Sequence, residues 1–221
     1  MEFTSVNKIF EAAFKKHWDR PAISNYQGVT LHYRDVARRI EKLHIMFEEC
    51  GLKKGDKVAL CSRNQANWAV AFLASMTYGA VPVPLLHEFK SSNIHHLVNH
   101  SEAKILFVDD VIWEGLTETE MPDVHAIIQV NTFKLLYAAE DCIRSAREHL
   151  NELFGRKYPN AFTPESINYY EDSADELAII NYTSGTSGFS KGVMIPFRAI
   201  ASNLEFGCKA LPQINNTSRV V

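Results

Sequence analysis

The sequence predicts an α/β fold that is built of layered subdomains with largely parallel sheets. Apolar runs of strand length alternate with stretches of helical periodicity through almost the whole chain. Strands that are separated by helices pair in parallel through right-handed crossovers, which is the second reason for this fold class. A chain of 221 residues, 46% of them hydrophobic, is also long enough to bury a substantial core.

The first elements follow in a regular order. Residues 5–17 have the spacing of an amphipathic helix, and "PAISNY" with "GVTLHY" predicts a hairpin that turns at Gln27–Gly28. Gly51 is expected to end the next helix. The apolar stripe of that helix consists of Val36, Ile40, Leu43, Phe47 and Cys50.

The middle of the chain continues the alternation. "LKKGDKVALCS" predicts a turn at Gly55–Asp56 and then a strand, and "NWAVAFLASMTYGA" predicts a buried helix because it is apolar nearly all round. The prolines of "AVPVPL" favour a strand end or a sheet edge. A helix from Ser91 or Ser92 follows, then the strand "KILFVDD", a short helix through Trp113, and the strands "VHAIIQV" and "ELAIINY".

Residues 135–157 predict one amphipathic helix. Its opposite face mixes acidic and basic residues, whereas a helix on a membrane surface is usually rich in lysine and arginine. Packing against its own domain is therefore favoured over contact with a membrane or a partner. The apolar stripe consists of Leu136, Ala139, Ile143, Ala146, Leu150 and Leu153.

Composition excludes several function classes. A formal net charge of −3, from 23 basic and 26 acidic residues, argues against a dedicated nucleic-acid binder. The four cysteines lie far apart without a Cys-x-x-Cys motif, so we expect neither a zinc site nor a disulfide framework, and a cytoplasmic location. We expect no signal peptide and no membrane span. His95, His96 and His100 indicate a solvated or half-buried helix face, and we assign no metal ligand and no catalytic residue.

The segment "IINYTSGTSGFSKGVMIPF" (179–197) predicts an anion site. Glycines allow backbone N–H groups to turn towards a ligand, and Lys191 brings a full positive charge. A helix after the loop would add its N-terminal dipole, although Pro196 indicates that this helix starts late. Hydroxyl donors are available on Thr183, Ser184, Thr186, Ser187 and Ser190. Polyphosphate is the ligand that suits this chemistry.

Two better-known phosphate motifs do not fit this loop. The kinase-type P-loop fails because Ser190 stands where its second glycine belongs, and Gly192 stands where it needs a metal-binding hydroxyl. The dinucleotide fingerprint fails because the glycines fall at 185, 188 and 192. A flexible Ser/Gly linker is the remaining alternative, and the closely flanking apolar strands argue against it.

The loop "YTSGTSGFSKGVM" resembles the phosphate-binding signature of the adenylate-forming (AMP-binding) superfamily. "LHYRDVARRI", "GLKKGDKVALCSRNQANWAVAFLASMTYGAVPVPL" and "NIHHLVNHSEAKILFVDD" are similar to the amino-terminal half of the same family. Residues 111–175 match more weakly, and their length is most like the long-chain fatty acyl-CoA synthetases. Ser190 replaces a proline that many members have, which indicates a less rigid loop. Pro196–Phe197 and His32 also depart from the family pattern.

The resemblance implies the architecture and the site. It implies the large amino-terminal AMP-binding domain, with residues 1–175 as a first α/β subdomain and residues 176–221 as the phosphate loop and the start of the next one. The ending "NNTSRVV" predicts a fragment, with the carboxy-terminal domain beyond Val221. The residues implied to hold the β- and γ-phosphates of ATP are Thr183, Ser184, Gly185, Thr186, Ser187, Gly188 and Lys191.

The resemblance also implies a two-step reaction. A carboxylic acid, with fatty acid as the first expectation, attacks the α-phosphate of Mg²⁺-bound ATP, and the acyl group of acyl-AMP then passes to coenzyme A. The chain alone is expected to be inactive. Two alternatives remain open: an enzyme that loads an aryl or amino acid onto a carrier protein, and a nucleotide-binding module without catalysis. Chain length of the acid and oligomeric state are not predicted.

Overall fold

The computed structural model describes residues 4–183, 190–214 and 218. The helices within them are α1 (Val6–Lys16), α2 (Tyr33–Glu49), α3 (Ala66–Tyr78), α4 (Ser91–His100), α5 (Asp110–Trp113), α6 (Asp141–Glu148), α7 (Leu150–Lys157) and α8 (Phe197–Ala210). The strands are β1 (Pro21–Ser24), β2 (Thr30–His32), β3 (Lys57–Cys61), β4 (Val81–Leu85), β5 (Ala103–Val108), β6 (Ala126–Gln129), β7 (Leu135–Ala138), β8 (Leu177–Thr183) and β9 (Lys191–Pro196). The predicted α/β class is confirmed.

A five-stranded sheet with the order β4-β3-β5-β6-β7 forms the body of the chain. Its first four strands are parallel, and β7 runs antiparallel to β6. Helices α3 and α4 lie in the crossovers from β3 to β4 and from β4 to β5. The largely parallel sheet is therefore confirmed. β4, with Pro82 and Pro84, lies at one edge of the sheet, as its prolines predict.

Both faces of this sheet are covered by apolar side chains. Ile105 and Phe107 of β5 belong to the core cluster on the side of α2, α3 and α6, whereas Leu106 and Val108 belong to the cluster on the side of α4. All four side chains are fully buried. Strands covered on both faces read as continuous apolar runs, which is why "KILFV" shows no alternation in sequence.

The predicted punctuation of the first elements is confirmed. β1 and β2 form an antiparallel hairpin, and Gln27 in its turn has a φ of 54°. Helix α2 ends at Glu49, and Gly51 follows it with a φ of 68°. Gly79 ends α3 in the left-handed conformation, which favours glycine. Among the described residues, no helix has the length and apolarity needed to cross a membrane.

A second unit consists of the β8–β9 hairpin and helix α8. The two strands pair antiparallel in a sheet of their own. Ile180 and Tyr182 of β8 are buried in the core cluster on the α4 side of the five-stranded sheet. A smaller cluster joins α1, α3, β8 and α8, through Val6, Met76, Ala178 and Phe197.

The single helix predicted for residues 135–157 is wrong. Leu135–Ala138 is strand β7, whose backbone groups pair with β6, and the remainder is divided at His149 into α6 and α7. Apolar spacing could not reveal this, because a four-residue edge strand fits the same spacing as a helical turn. Packing against the domain itself is confirmed for Ile143, Ala146 and Leu150, which are buried in the α2-side core.

Candidate functional site

The ends of the glycine loop lie opposite each other on the β8–β9 hairpin. Thr183 is the last residue of β8, Lys191 is the first residue of β9, and the two are direct partners in the antiparallel register. Direct partners place their side chains on the same face of a ladder, with Cβ atoms about 4.5–5.5 Å apart. The hairpin therefore brings together the first hydroxyl and the only lysine of the predicted site. Ser184, Gly185, Thr186, Ser187 and Gly188 lie outside the described residues.

Burial along β8 alternates towards the loop. Ile180 and Tyr182 are buried, whereas Asn181 and Thr183 are exposed. Successive side chains of a strand point to opposite faces, so Thr183 and Lys191 share the face that is turned away from the core. Lys191 is exposed, and among the described residues its ammonium group has no ion-pair partner. This cation is available to an anionic ligand.

The opposite face fixes the loop ends to the body. The ring of Tyr182 lies against Gly192, its cross-strand partner, where an added Cβ would come within 3.2 Å of the tyrosine Cε1 atom. The Tyr182 hydroxyl lies 2.6 Å from Nδ1 of His100 at the end of α4, in a hydrogen bond. Burial raises the pKa of Tyr182, so its hydroxyl stays protonated and able to form this bond at neutral pH.

A cleft of about 320 Å³ opens beside the hairpin. Most of its wall comes from residues at or just beyond the carboxyl ends of three strands, β3, β4 and β8, and Trp68 of α3 completes it. Open α/β sheets bind their ligands at this edge. The polar residues that line it are Ser62, Asn64, His87, Glu88, Asn181 and Tyr182.

The turn that follows β3 is held by a carboxylate from the neighbouring strand end. Asp109 accepts hydrogen bonds from the backbone N–H of Arg63, at 2.9 Å, and from Nε2 of Gln65, at 3.1 Å. Burial, together with the Asp109 and Glu88 carboxylates, raises the pKa of the nearby Cys61 thiol to about 12. Cys61 therefore remains a thiol, and we assign it no nucleophilic role.

The helix after the loop starts late, as Pro196 indicates, so its N-terminal dipole does not contribute at the loop. Strand β9 separates the loop from α8, which begins at Phe197 after Pro196. Six strand residues span about 17–20 Å, which places the start of α8 far from Lys191. The sequence already contained the reason, because Pro196 and the β-branched residues of "GVMIP" favour an extended segment.

The histidines of α4 do not form a metal site with one another. In the described part of the chain, no group of three histidine, cysteine or acidic side chains could hold a metal ion. His95 accepts a hydrogen bond from the Thr117 backbone N–H at Nε2, at 3.1 Å. His96 stacks at a tilt on His100, with ring centres 5.8 Å apart.

The sequence of the chain matches a known family over nearly its whole length. The profile of the AMP-binding enzyme family matches residues 10–220. The chain belongs to this family. The resemblance to the adenylate-forming (AMP-binding) superfamily that the loop and its flanking segments indicated is thereby confirmed.

Relatives of this AMP-binding family member include a ligase and a peptide synthase polypeptide. It is 25% identical over 219 residues to a long-chain-fatty-acid–CoA ligase of Salmonella typhimurium, an alignment that covers 92% of the chain and 38% of the ligase. It is 30% identical over 217 residues to a linear gramicidin synthase polypeptide of Brevibacillus parabrevis, an alignment that covers 98% of the chain and 2% of that synthase polypeptide. The chain thus corresponds to only a part of the length of each of these relatives.

A solved structure has the same fold. The N-terminal subdomain of Klebsiella oxytoca NpsA, in complex with 3-hydroxybenzoyl-AMSN, superposes with a TM-score of 0.63 at 25% identity. The match covers 90% of this chain and 43% of that subdomain. The predicted fold, that of the amino-terminal part of an adenylate-forming enzyme, is confirmed.

Sequence reasoning did not find the cleft that lies beside the candidate site. The cleft residues come from strand ends that lie far apart in sequence, and no local motif marks Asn64 or His87. One signal was available: each follows the carboxyl end of a strand that was predicted to be parallel. The bond between His100 and Tyr182 joins residues 82 positions apart and left no sequence signal.

Proposed function

We propose that this chain carries the triphosphate-binding part of an ATP-dependent acid–thiol ligase, an acyl-CoA synthetase that activates a fatty acid. In the first step the carboxylate attacks the α-phosphorus of ATP, the bond to the β-phosphate oxygen breaks, and acyl-AMP and pyrophosphate form. In the second step the thiol of coenzyme A attacks the acyl carbon, its proton leaves, and AMP departs. Mg²⁺ enters as the MgATP complex.

The observation that supports this proposal is the cross-strand pair of Thr183 and Lys191 at the carboxyl edge of the fold. The ammonium group of Lys191 would neutralise charge that develops on the departing pyrophosphate, and the Thr183 hydroxyl would donate to a phosphate oxygen. With Ser184, Gly185, Thr186, Ser187 and Gly188 between them, the two residues would enclose the β- and γ-phosphates. Both are exposed on one face, as a ligand would require.

The fatty-acid assignment is supported by the ligase of Salmonella typhimurium and by the length of residues 111–175. A second function has support of its own, because the higher identity of 30% is to the gramicidin synthase polypeptide. In that case the acid would be an aryl or amino acid, and the thiol would belong to a carrier protein. The loop would have the same role in both reactions.

We also propose that the acid pocket, the adenine contacts and the catalytic lysine lie outside these 221 residues. The chain covers 38% of the length of the fatty-acid–CoA ligase, which supports the proposal that these parts lie elsewhere. The subdomain boundary near residue 175, the cytoplasmic location and the absence of a nucleic-acid partner remain predictions. Contact with a membrane surface through residues 135–157 has become a weaker hypothesis, because their apolar side chains are partly used in the core.

Two measurements test the proposal. Calorimetric titration of the 221-residue chain with MgATP and with tripolyphosphate is expected to show saturable binding, and acid-dependent ATP–pyrophosphate exchange by the chain alone is expected to be absent. Full-length protein, incubated with ATP and hydroxylamine, is expected to form hydroxamates with fatty acids in preference to aryl and amino acids.

The outcomes separate the hypotheses. Hydroxamate from aryl or amino acids alone would favour the carrier-protein reaction, and nucleotide binding without any hydroxamate would favour a non-catalytic module. A chain that binds neither MgATP nor tripolyphosphate would contradict the proposal. Clear ATP–pyrophosphate exchange by the isolated chain would contradict the proposal that the acid pocket, the adenine contacts and the catalytic lysine lie outside these 221 residues.

A further inference from the structure

Tyr182 connects the loop ends to the rest of the molecule. It precedes Thr183, pairs with Gly192 across the hairpin, and is 6% exposed in the core on the α4 side. Thr183 and Lys191 form the next pair of the same ladder. Any displacement of the Tyr182 backbone therefore moves the pair that carries the hydroxyl and the ammonium group.

The ring of Tyr182 is fixed on two sides. On the hairpin side it lies against the backbone of Gly192, where the site of an added Cβ would be 3.2 Å from Cε1 and 3.4 Å from Cζ. On the body side its hydroxyl is bonded to Nδ1 of His100, and the two rings meet edge to face with centres 5.8 Å apart. Between these contacts the ring holds strand β9 at a set distance from helix α4.

We propose that His100 is a positioning residue for the Thr183–Lys191 pair, acting through the hydroxyl of Tyr182. This inference rests on the proposed triphosphate site. In this proposal His100 does not contact the ligand. Its hydrogen bond fixes the position of the Tyr182 ring, and the ring fixes the positions of Thr183 and Lys191. A preorganised cation and donor bind a polyphosphate better than the same groups on a hairpin that must first be ordered.

The geometry explains why a polar contact is used at this place. Most of the Tyr182 side chain is buried, and a buried hydroxyl without a partner is costly. His100 is exposed at the end of α4, so its ring can serve as the hydrogen-bond partner without itself being buried in the core. The bond has a direction, which apolar packing lacks, and it can therefore fix the rotation of the ring.

Tyr182→Phe and His100→Ala test the bond from its two sides. Each is expected to weaken binding of tripolyphosphate to the 221-residue chain by roughly threefold to tenfold, as the loss of one hydrogen bond implies. The double variant is expected to bind no more weakly than the weaker single one, because both changes remove the same contact. The thermal unfolding midpoint is measured on the same samples.

Two further variants distinguish positioning from a general loss of structure. His100→Asn keeps a hydrogen-bonding atom near the position of Nδ1 and is expected to restore most of the affinity that His100→Ala loses. Gly192→Ala pushes the ring from the hairpin side, since the added Cβ would be within 3.2 Å of it, and is expected to weaken binding without touching His100.

Matched controls are available in the chain. Tyr78→Phe removes another partly buried tyrosine hydroxyl, which donates to the Leu52 carbonyl at 3.0 Å away from the hairpin. His95→Ala removes another imidazole of α4, one that accepts a hydrogen bond from the Thr117 backbone N–H and not from Tyr182. Neither is expected to change the affinity for tripolyphosphate by more than about 1.5-fold.

The results discriminate between this inference and the proposed function. If the unmodified chain binds tripolyphosphate and the Tyr182 and His100 variants bind it equally well, the positioning role is overturned and the site stands. Additive losses, or a loss that follows the unfolding midpoint, would also overturn it. If the unmodified chain binds neither tripolyphosphate nor MgATP, the proposed function fails, and this inference fails with it.

Discussion

The five-stranded body and the β8–β9 hairpin are built in opposite ways. In the body, β5 is buried on both faces, and its side chains belong to two separate cores. In the hairpin, β9 is exposed at Val193 and Met194, and β8 becomes exposed at Asn181 and Thr183, towards the loop. The comparison teaches that stability and the proposed chemistry are allotted to different units. Each of the following changes tests that division.

Phe107→Ala should produce the largest loss of stability. The side chain is fully buried in β5, so its removal leaves a cavity and is expected to cost about 3–5 kcal/mol of unfolding free energy. Met194→Ala is the matched change in the hairpin. Met194 is 68% exposed, and its loss is expected to cost less than about 0.5 kcal/mol. Urea unfolding of both variants measures the difference, and equal costs would contradict the division.

Lys191→Ala should give the converse result. Removing the one formal positive charge among the predicted loop residues is expected to lower acid-dependent ATP–pyrophosphate exchange by full-length protein about 10²–10³-fold. The unfolding midpoint should stay unchanged, because the side chain is exposed. Lys134→Ala, also an exposed lysine, is the control and should leave the exchange rate unaltered. An unchanged rate in Lys191→Ala would remove this lysine from the mechanism.

The five-stranded body and the β8–β9 hairpin also differ in how much of their structure the sequence predicts. The body was predictable because helix and strand periods, with glycines such as Gly51 and Gly79, are local signals that agree with the packing. β7 was not, because its four residues are extended only through pairing with β6, which is a non-local cause. At the site, Thr183 and Lys191 were found through a motif. Their pairing across β9 and the bond to His100 depend on tertiary contacts that no local pattern encodes.

Asp172→Ala should weaken the junction between the two units. The Asp172 carboxylate is buried and accepts hydrogen bonds from the Ser5 hydroxyl at 2.6 Å and from the backbone N–H groups of Val6, at 3.0 Å, and Asn7, at 2.8 Å. It thus caps α1, whose Val6 packs against Ala178 of β8. Losing the cap and leaving buried donors unpaired is expected to cost about 2–3 kcal/mol.

Hydrogen exchange can locate the effect of that change. We expect the amides of α1 and β8 to lose protection before those of β5, since Val6 links α1 to the hairpin unit. Asp172→Asn keeps one acceptor oxygen, so its free energy of unfolding should lie between that of the unmodified chain and that of Asp172→Ala. Uniform loss of protection across β5 as well would mean that the body and the hairpin unfold as one unit.

The smallest predicted effect concerns the pH dependence of the body. His44 on α2 is buried, with Nε2 3.1 Å from both the Ala74 carbonyl and the Thr77 hydroxyl, and burial lowers its pKa to about 3. In the unfolded chain this imidazole takes up a proton near pH 6.5, whereas in the folded chain it stays neutral. Stability contributed by His44 is therefore full above about pH 6.5 and is lost as the pH falls towards 3.

The size of this effect is about 1 kcal/mol between pH 6 and pH 5. The Glu41 carboxylate lies 3.6 Å from Nδ1 of His44 and has the opposite effect on stability. Burial raises the pKa of Glu41, so the folded chain binds this proton more readily than the unfolded chain does, and stability increases as the pH falls. The contribution of His44 is thus measured as the difference between the unmodified chain and His44→Gln, which does not titrate. Urea unfolding at several pH values gives that difference. An equal slope in both proteins would mean that His44 is not the group responsible for the acid sensitivity.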